Sequence, residues 1–379
     1  MYTFADKGYY YCNNKPFRSK LEAILESNRT GGQVHWDFYS DEFGKSNWEI
    51  PSSFDLDELY KQRAQQLRDN YDHLVLFYSG GVDSGYILKT FVENDIKLDE
   101  IYMFGAFEQE KKHFSRVGTS ENPGFYTREI EYIAKPLIKN LLKKQNIKVN
   151  IYDWEQDILN AAHNGDWFWE AGCRFAPDVL MRSKFHSIFA EHNELMDKGK
   201  RVGFIYGVDK PRLYRDDSSI KFSFLDIILT VGATNSNDVS GANWEHDEYF
   251  YWNPNFPEIP IKQAHMVVEQ LKLLNKVNLI PHLNNHSGNF HTPELYNIIN
   301  RVIYPKWNHG LWQIKKPTGS TYDENSAWFF DKNLPEFKMW EDSLKDMERQ
   351  LGSKWFNDDS FVNGLRGHIS ELYNITDYT

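Results

Sequence analysis

Apolar positions follow two alternating rhythms through the middle of this 379-residue chain. Short apolar runs bounded by turn-forming residues predict strands at His73–Tyr78, Glu100–Phe104, Lys148–Asp153, Arg201–Tyr206 and Ile220–Phe224. Between them apolar residues return at spacings of three and four. That predicts helices at Ser84–Asn94, Tyr126–Lys144, Gln156–His163 and Asp178–Lys198. Strands alternating with helices build a parallel sheet covered on both faces, a doubly wound α/β fold. Such sheets hold ligands beyond the carboxyl ends of their strands. Upstream, helices are predicted at Arg18–Ser27 and Leu56–Asp69, with a break at Asn28–Gly32 and a polar, aromatic stretch between them. Downstream the chain reads as mostly helical with Pro- and Trp-rich loops, its best helices at Ile261–Val277 and Thr292–Ile303. The expected organisation is an extension over residues 1–70, an α/β domain over 71–232, and a mostly helical region over 233–379 that completes the substrate site.

The first predicted strand runs into Ser79-Gly80-Gly81-Val82-Asp83-Ser84 and then directly into a helix. A strand, a tight loop and a helix N-terminus make a phosphate site. The paired glycines let the backbone approach an anion without a Cβ in the way. First-turn amides and the helix dipole favour negative charge there. The loop is not a Walker loop, because no G-x-x-x-x-G-K-[ST] is present, and it lacks the third glycine of a dinucleotide fingerprint.

All six positions match the SGGxDS pattern, with Val82 as the free position. The stretch resembles the pyrophosphate loop of the N-type ATP pyrophosphatases. That superfamily includes asparagine synthetases, GMP synthetase, NAD synthetase, tRNA lysidine synthetase and the queuosine-pathway ligases. The resemblance implies the adenine nucleotide alpha hydrolase-like (HUP) form of the doubly wound fold, with ATP and Mg²⁺ as cofactors. It also implies adenylation of a small-molecule or nucleotide substrate with release of pyrophosphate, followed by displacement of AMP by a nitrogen or sulfur nucleophile.

A second strand ends in Tyr206-Gly207-Val208-Asp209-Lys210-Pro211-Arg212. In a parallel sheet its carboxyl end can lie beside the first loop. Asparagine synthetases carry an acidic motif at the equivalent place. By that resemblance Asp83 and Asp209 hold Mg²⁺, which usually needs only one or two protein carboxylates. This chain has Asp-Lys-Pro where those enzymes typically have Asp-Glu. Lys210 and Arg212 are cations suited to phosphate, the first as a point charge and the second as a fork. Gly207 and Arg212 are therefore expected at the nucleotide, and Asp209 and Lys210 at the chemistry. Asparagine synthetases also supply a late lysine, for which Lys306, Lys315 and Lys316 are the candidates, Lys315 foremost.

Composition narrows the alternatives. Hydrophobic residues make up 41% and aromatic residues 16%, enough for a sizeable core. A net charge of −11 argues against general affinity for nucleic-acid backbones. Two distant cysteines, Cys12 and Cys173, make neither a disulfide framework nor a zinc pattern and suit a reducing cytoplasm. No apolar run reaches membrane-spanning length, and no secretion signal is seen. The loops Phe107–Gly124 and Asn164–Arg174 are candidates for substrate selection. His282, His286 and His291 lack partners at metal-ligand spacing, and His265 reads as a packed or capping histidine.

Full-length asparagine synthetases begin with a glutaminase domain whose nucleophile is a cysteine after the initiator Met. Position 2 here is Tyr2, and residues 1–70 are too few for that domain. The nitrogen donor is then expected to be ammonia, an amine substrate or a separate partner. Truncated members of this build are often bacteriophage proteins. Two other readings stand beside the ligase. An adenylyl-sulfate reductase or sulfurtransferase would depend on Cys173, and a non-catalytic module would bind ATP without releasing pyrophosphate.

Overall fold

The computed structural model describes residues 8–17, 19–105, 134–162, 190–208, 210–226, 245–283, 292–309, 329, 334–356 and 365–377. The chain opens with β1 (Tyr9–Cys12) and β2 (Lys15–Phe17), turning through Asn13 and Asn14, both at positive φ. In β1 Tyr10 and Cys12 point inward while Tyr9 and Tyr11 are half-exposed, the period-two pattern of a strand with one wet face. Helix α1 (Lys20–Thr30) ends at Gly31 in the left-handed region and leads to β3 (Val34–Asp37). β1 lies between β2 and β3 in an antiparallel sheet that was not expected from the polar, aromatic composition of this stretch. A single turn, α2 (Ser40–Phe43), precedes α3 (Leu56–Asn70), whose N-cap Asp55 accepts from the Glu58 amide at 2.8 Å.

The middle of the chain builds a five-stranded parallel sheet. Its elements are β4 (His73–Phe77), α4 (Val82–Glu93), β5 (Glu100–Gly105), α5 (Lys135–Leu141), β6 (Lys148–Asp153), α6 (Glu155–Ala162), α7 (Ala190–Asp197) and β7 (Val202–Tyr206). Two strands of an antiparallel hairpin follow, β8 (Arg212–Arg215) and β9 (Ser219–Ser223), and then β10 (Glu245–Tyr249). The sheet order is β10-β7-β4-β5-β6, with every pairing parallel. The chain therefore starts at the centre, builds outward through β5 and β6, and returns to the other side of β4. That reversal puts a topological switch point at the carboxyl ends of β4 and β7, where open α/β sheets hold their ligands.

One strand expectation needs correction, and one parallel strand was not expected. Ile220–Phe224 is not a parallel strand of this sheet: β9 pairs antiparallel with β8 and with β11 (Tyr373–Asp377) in a separate sheet. The fifth parallel strand is β10. Its sequence Glu-His-Asp-Glu-Tyr has no apolar run, because an edge strand held on one side by β7 needs little apolar surface. The hairpin has its own local signal: Asp216, between two apolar runs, accepts from the amides of Ser218 and Ser219 at 2.9 and 2.7 Å.

The later part of the chain adds α8 (Glu258–Leu273), α9 (Pro293–Ile303) and α10 (Pro335–Leu351). Helices α8 and α9 pack on one another, and α8 also packs on α3. One aromatic seam joins the segment after β3 to β9 and β11. Phe38, Phe43, Trp48, Phe222, Phe224, Trp252 and Tyr373 pack there, with Trp48 and Tyr373 stacked at 4.3 Å and Phe43 and Phe224 at 4.4 Å. Beneath it buried Lys20 pairs with fully buried Asp226 at 2.7 Å, and the Tyr10 hydroxyl donates to the same carboxylate. No helix among the described residues is long and apolar enough to cross a membrane.

Candidate active site

The Ser79–Ser84 loop leaves β4 at the switch point. Gly80 has φ +86°, a conformation that L side chains rarely adopt, and Gly81 stands at the N-cap of α4 in extended conformation. No side chain caps that helix. The amides of Val82, Asp83 and Ser84 have no carbonyl four residues back within the helix, so they point out of its first turn. Hydroxyls shape the loop from within. Ser79 Oγ accepts from the Gly81 amide at 3.2 Å and lies 3.2 Å from Ser84 Oγ, which in turn accepts from the Ser79 amide at 3.3 Å.

The end of β7 presses against this loop. A Cβ on Gly207 would stand 2.8 Å from the Ser84 amide nitrogen and 3.1 Å from the Asp83 carbonyl carbon, so only glycine allows this approach. Three residues on, Lys210 is buried at 1% exposure and its Nζ lies 2.5 Å from each carboxylate oxygen of Asp83, whose side chain is 25% exposed. Tyr304, just after α9, donates from its hydroxyl to Asp83 Oδ1 at 2.6 Å. Tyr251, just after β10, donates to the Asp83 carbonyl at 2.8 Å. Burial, together with the Asp83 charge, pushes both phenols far above their ordinary pKa, so both remain donors. The Lys210 ammonium also sits 4.7 Å above the Tyr296 ring on α9.

Charge at the site follows from this geometry. Asp83 and Lys210 cancel, which leaves the positive end of the α4 dipole as the net field at the loop. That field suits an anion. Trp307 closes the back of the helix; a Cβ on Gly85 would come within 2.4 Å of its indole.

The structure thus brings together Ser79, Gly80, Gly81, Val82, Asp83, Ser84, Gly207 and Lys210. Val82 faces inward and is buried. Arg212 opens β8, in register with Ser223 of β9. Lys306 pairs with Asp57 at 2.7 Å and is 64% exposed. His265 contacts the Trp48 carbonyl at 2.9 Å, and His282 lies 3.4 Å from Asp217. Asp209, Lys315, Lys316, Cys173, His286 and His291 lie outside the described residues, as do the loops Phe107–Gly124 and Asn164–Arg174. Tyr251, Tyr296 and Tyr304 escaped the sequence reading as site residues. A lone tyrosine carries no local signal, and these reach Asp83 and Lys210 only through tertiary packing.

No family model matches the chain, and no curated protein matches it. What the fold defines is an α/β protein with a five-stranded parallel sheet.

Proposed function

We propose that this chain is an ATP-dependent, adenylate-forming enzyme of the pyrophosphate-loop type, with the HUP form of the doubly wound fold. The observation that carries the reading is the uncapped N-terminus of α4 at the switch point, with buried Lys210 set against its first turn. Counted in chain order, the sheet strands run 3-2-1-4-5 from β6 to β10, an order shared with dinucleotide-binding doubly wound sheets, which supports the reading.

In this reading the amides of Gly80–Ser84 hold the β- and γ-phosphates and stabilise the charge that grows on departing pyrophosphate. Lys210 adds a buried positive charge beside them. A carboxylate or amide-like oxygen of the substrate attacks the α-phosphorus, and binding both reactants in line supplies much of the acceleration. Asp83 is the described carboxylate that would hold Mg²⁺, which would neutralise charge on the departing pyrophosphate, and Lys210 would then turn from that carboxylate towards the phosphates. An amine, ammonia or a partner that delivers ammonia completes a C–N ligation.

The test is pyrophosphate release from ATP against a panel of carboxylate and amide substrates, with and without amines. Lys210→Met and Asp83→Asn should each lower kcat by at least about 100-fold, as removal of an electrostatic stabiliser does elsewhere. ATP binding without release under any condition would instead favour a non-catalytic module. Release that is undiminished in both variants would remove these residues from the chemistry.

A further inference from the structure

At the amino ends of β4 and β5, the opposite end of the parallel sheet from the loop, three metal-ligating side chains converge. His73 begins β4, Glu100 begins β5, and His192 lies on α7, which packs on β7. His73 Nε2 is 3.1 Å from Glu100 Oε1, and His192 Nε2 is 3.3 Å from Glu100 Oε2. One ligand atom from each residue can be chosen so that all lie within 4.8 Å of one another. His192 and Glu100 are 1% and 5% exposed, and His73 stands at the rim. The rings of Tyr102 and Phe204 meet the His192 imidazole edge-on at 5.5 and 5.4 Å, which fixes its orientation.

We propose that His73, Glu100 and His192 form a binding site for a divalent transition metal, of the Zn²⁺ type, that ties β4, β5 and α7 together. Ligand atoms about 2.0–2.2 Å from a tetrahedral zinc stand roughly 3.3–3.6 Å apart, and the two imidazoles approach this spacing from the two different oxygens of Glu100, at 3.1 and 3.3 Å. Two imidazoles with one carboxylate select a borderline transition metal over Mg²⁺ or Ca²⁺, which take oxygen ligands. Asn150 Nδ2 donates to Glu100 Oε2 at 3.1 Å, and Lys148 Nζ lies 3.5 Å from Glu100 Oε1. That ammonium is held more closely by Glu191, at 2.5 Å, and its side chain is half-exposed, so the metal can replace it beside Glu100 while it remains on Glu191. The site's position, away from the Ser79–Ser84 loop, gives it a structural role that does not depend on the nucleotide reading.

The experiment uses the full chain stripped with a chelator and then titrated with Zn²⁺ against a chromophoric competitor. Thermal unfolding is followed in parallel, and Co²⁺ serves as a spectroscopic probe. The parent should bind one equivalent, gain Tm with Zn²⁺, and give a tetrahedral Co²⁺ absorption. His73→Gln and Glu100→Gln, each checked by circular dichroism in chelator, should weaken Zn²⁺ by more than the roughly 10–100-fold that outer-shell changes cost. Lys148→Met should tighten it by removing the competing ammonium. Absence of saturable Zn²⁺ binding in the parent would overturn the proposal and leave a hydrogen-bonded His–Glu–His cluster. Equal affinity in the parent and a folded variant would overturn it as well.

Discussion

Lys210 and Asp83, 127 positions apart in the chain, meet with Nζ at 2.5 Å from both carboxylate oxygens. The lysine is buried and the aspartate partly open, so the two removals should differ. Asp83→Ala strands a buried ammonium and should cost about 2–4 kcal/mol, towards the range for breaking a buried pair. Lys210→Met leaves Asp83 with the Tyr304 hydroxyl and some solvent, and should cost only about 1–2 kcal/mol. Urea unfolding of both variants and of the double variant checks this, with a non-additive double variant expected.

Gly207 should tolerate no side chain. Its Cβ would meet main-chain atoms of Asp83 and Ser84 that cannot swing away. Gly207→Ala is expected to cost about 1–3 kcal/mol and to weaken nucleotide binding by moving the α4 N-terminus off β7. Equilibrium unfolding and ATP titration of the same variant separate the two effects.

The Tyr304 hydroxyl should matter to the position of Asp83 more than to the fold. Tyr304→Phe keeps the buried ring, which packs 5.1 Å from that of Tyr86, and removes the hydroxyl's hydrogen bond to Asp83. The expected loss of stability is about 0.5–1.5 kcal/mol. Pyrophosphate release should fall by more than that figure implies if Asp83 must be held in one orientation.

Acid should unfold the protein in two stages. Burial lowers the pKa of His368, with the Lys20 charge acting in the same direction and Asp226 opposing it. The unfolded chain therefore takes up a proton near pH 6.5 that the folded chain resists, and stability begins to fall there. Asp226 behaves as a depressed carboxylate. Burial alone would raise it, but the Lys20 charge and His368 hold it well below the usual range. Its contribution is complete above its unfolded pKa, near 3.9, and is lost as pH falls through the lower folded value. Asp226→Asn should cost about 3–5 kcal/mol at pH 7, because buried Lys20 loses its counter-charge, and should flatten the decline below about pH 4. Denaturation midpoints from pH 7 down to about pH 2 measure both stages.

Much of the sheet was legible in the sequence because β4, β5, β6 and β7 are short apolar runs and α3, α4, α8 and α9 are strongly periodic. The Ser79–Ser84 loop was legible because its geometry is local: two glycines, small hydroxyls and a helix start lie within six positions. Lys210 was legible because it follows a second strand end. The antiparallel sheet of β1, β2 and β3 was not, since its stabilising contacts come from the aromatic seam with residues near the other end of the chain. β10 was hidden by its charged sequence. Tyr304 and the His73–Glu100–His192 cluster were hidden for one shared reason. Their partners are distant in sequence, and only the completed sheet brings them together.

The most direct measurement is a crystal structure with Mg²⁺ and an ATP analogue whose α,β-bridging oxygen is replaced by methylene. The β- and γ-phosphate oxygens should lie within hydrogen-bond distance of the amides of Gly80–Ser84, with Lys210 turned from Asp83 towards them. Phosphates bound elsewhere on the protein, or a loop left bare at saturating nucleotide, would contradict this placement.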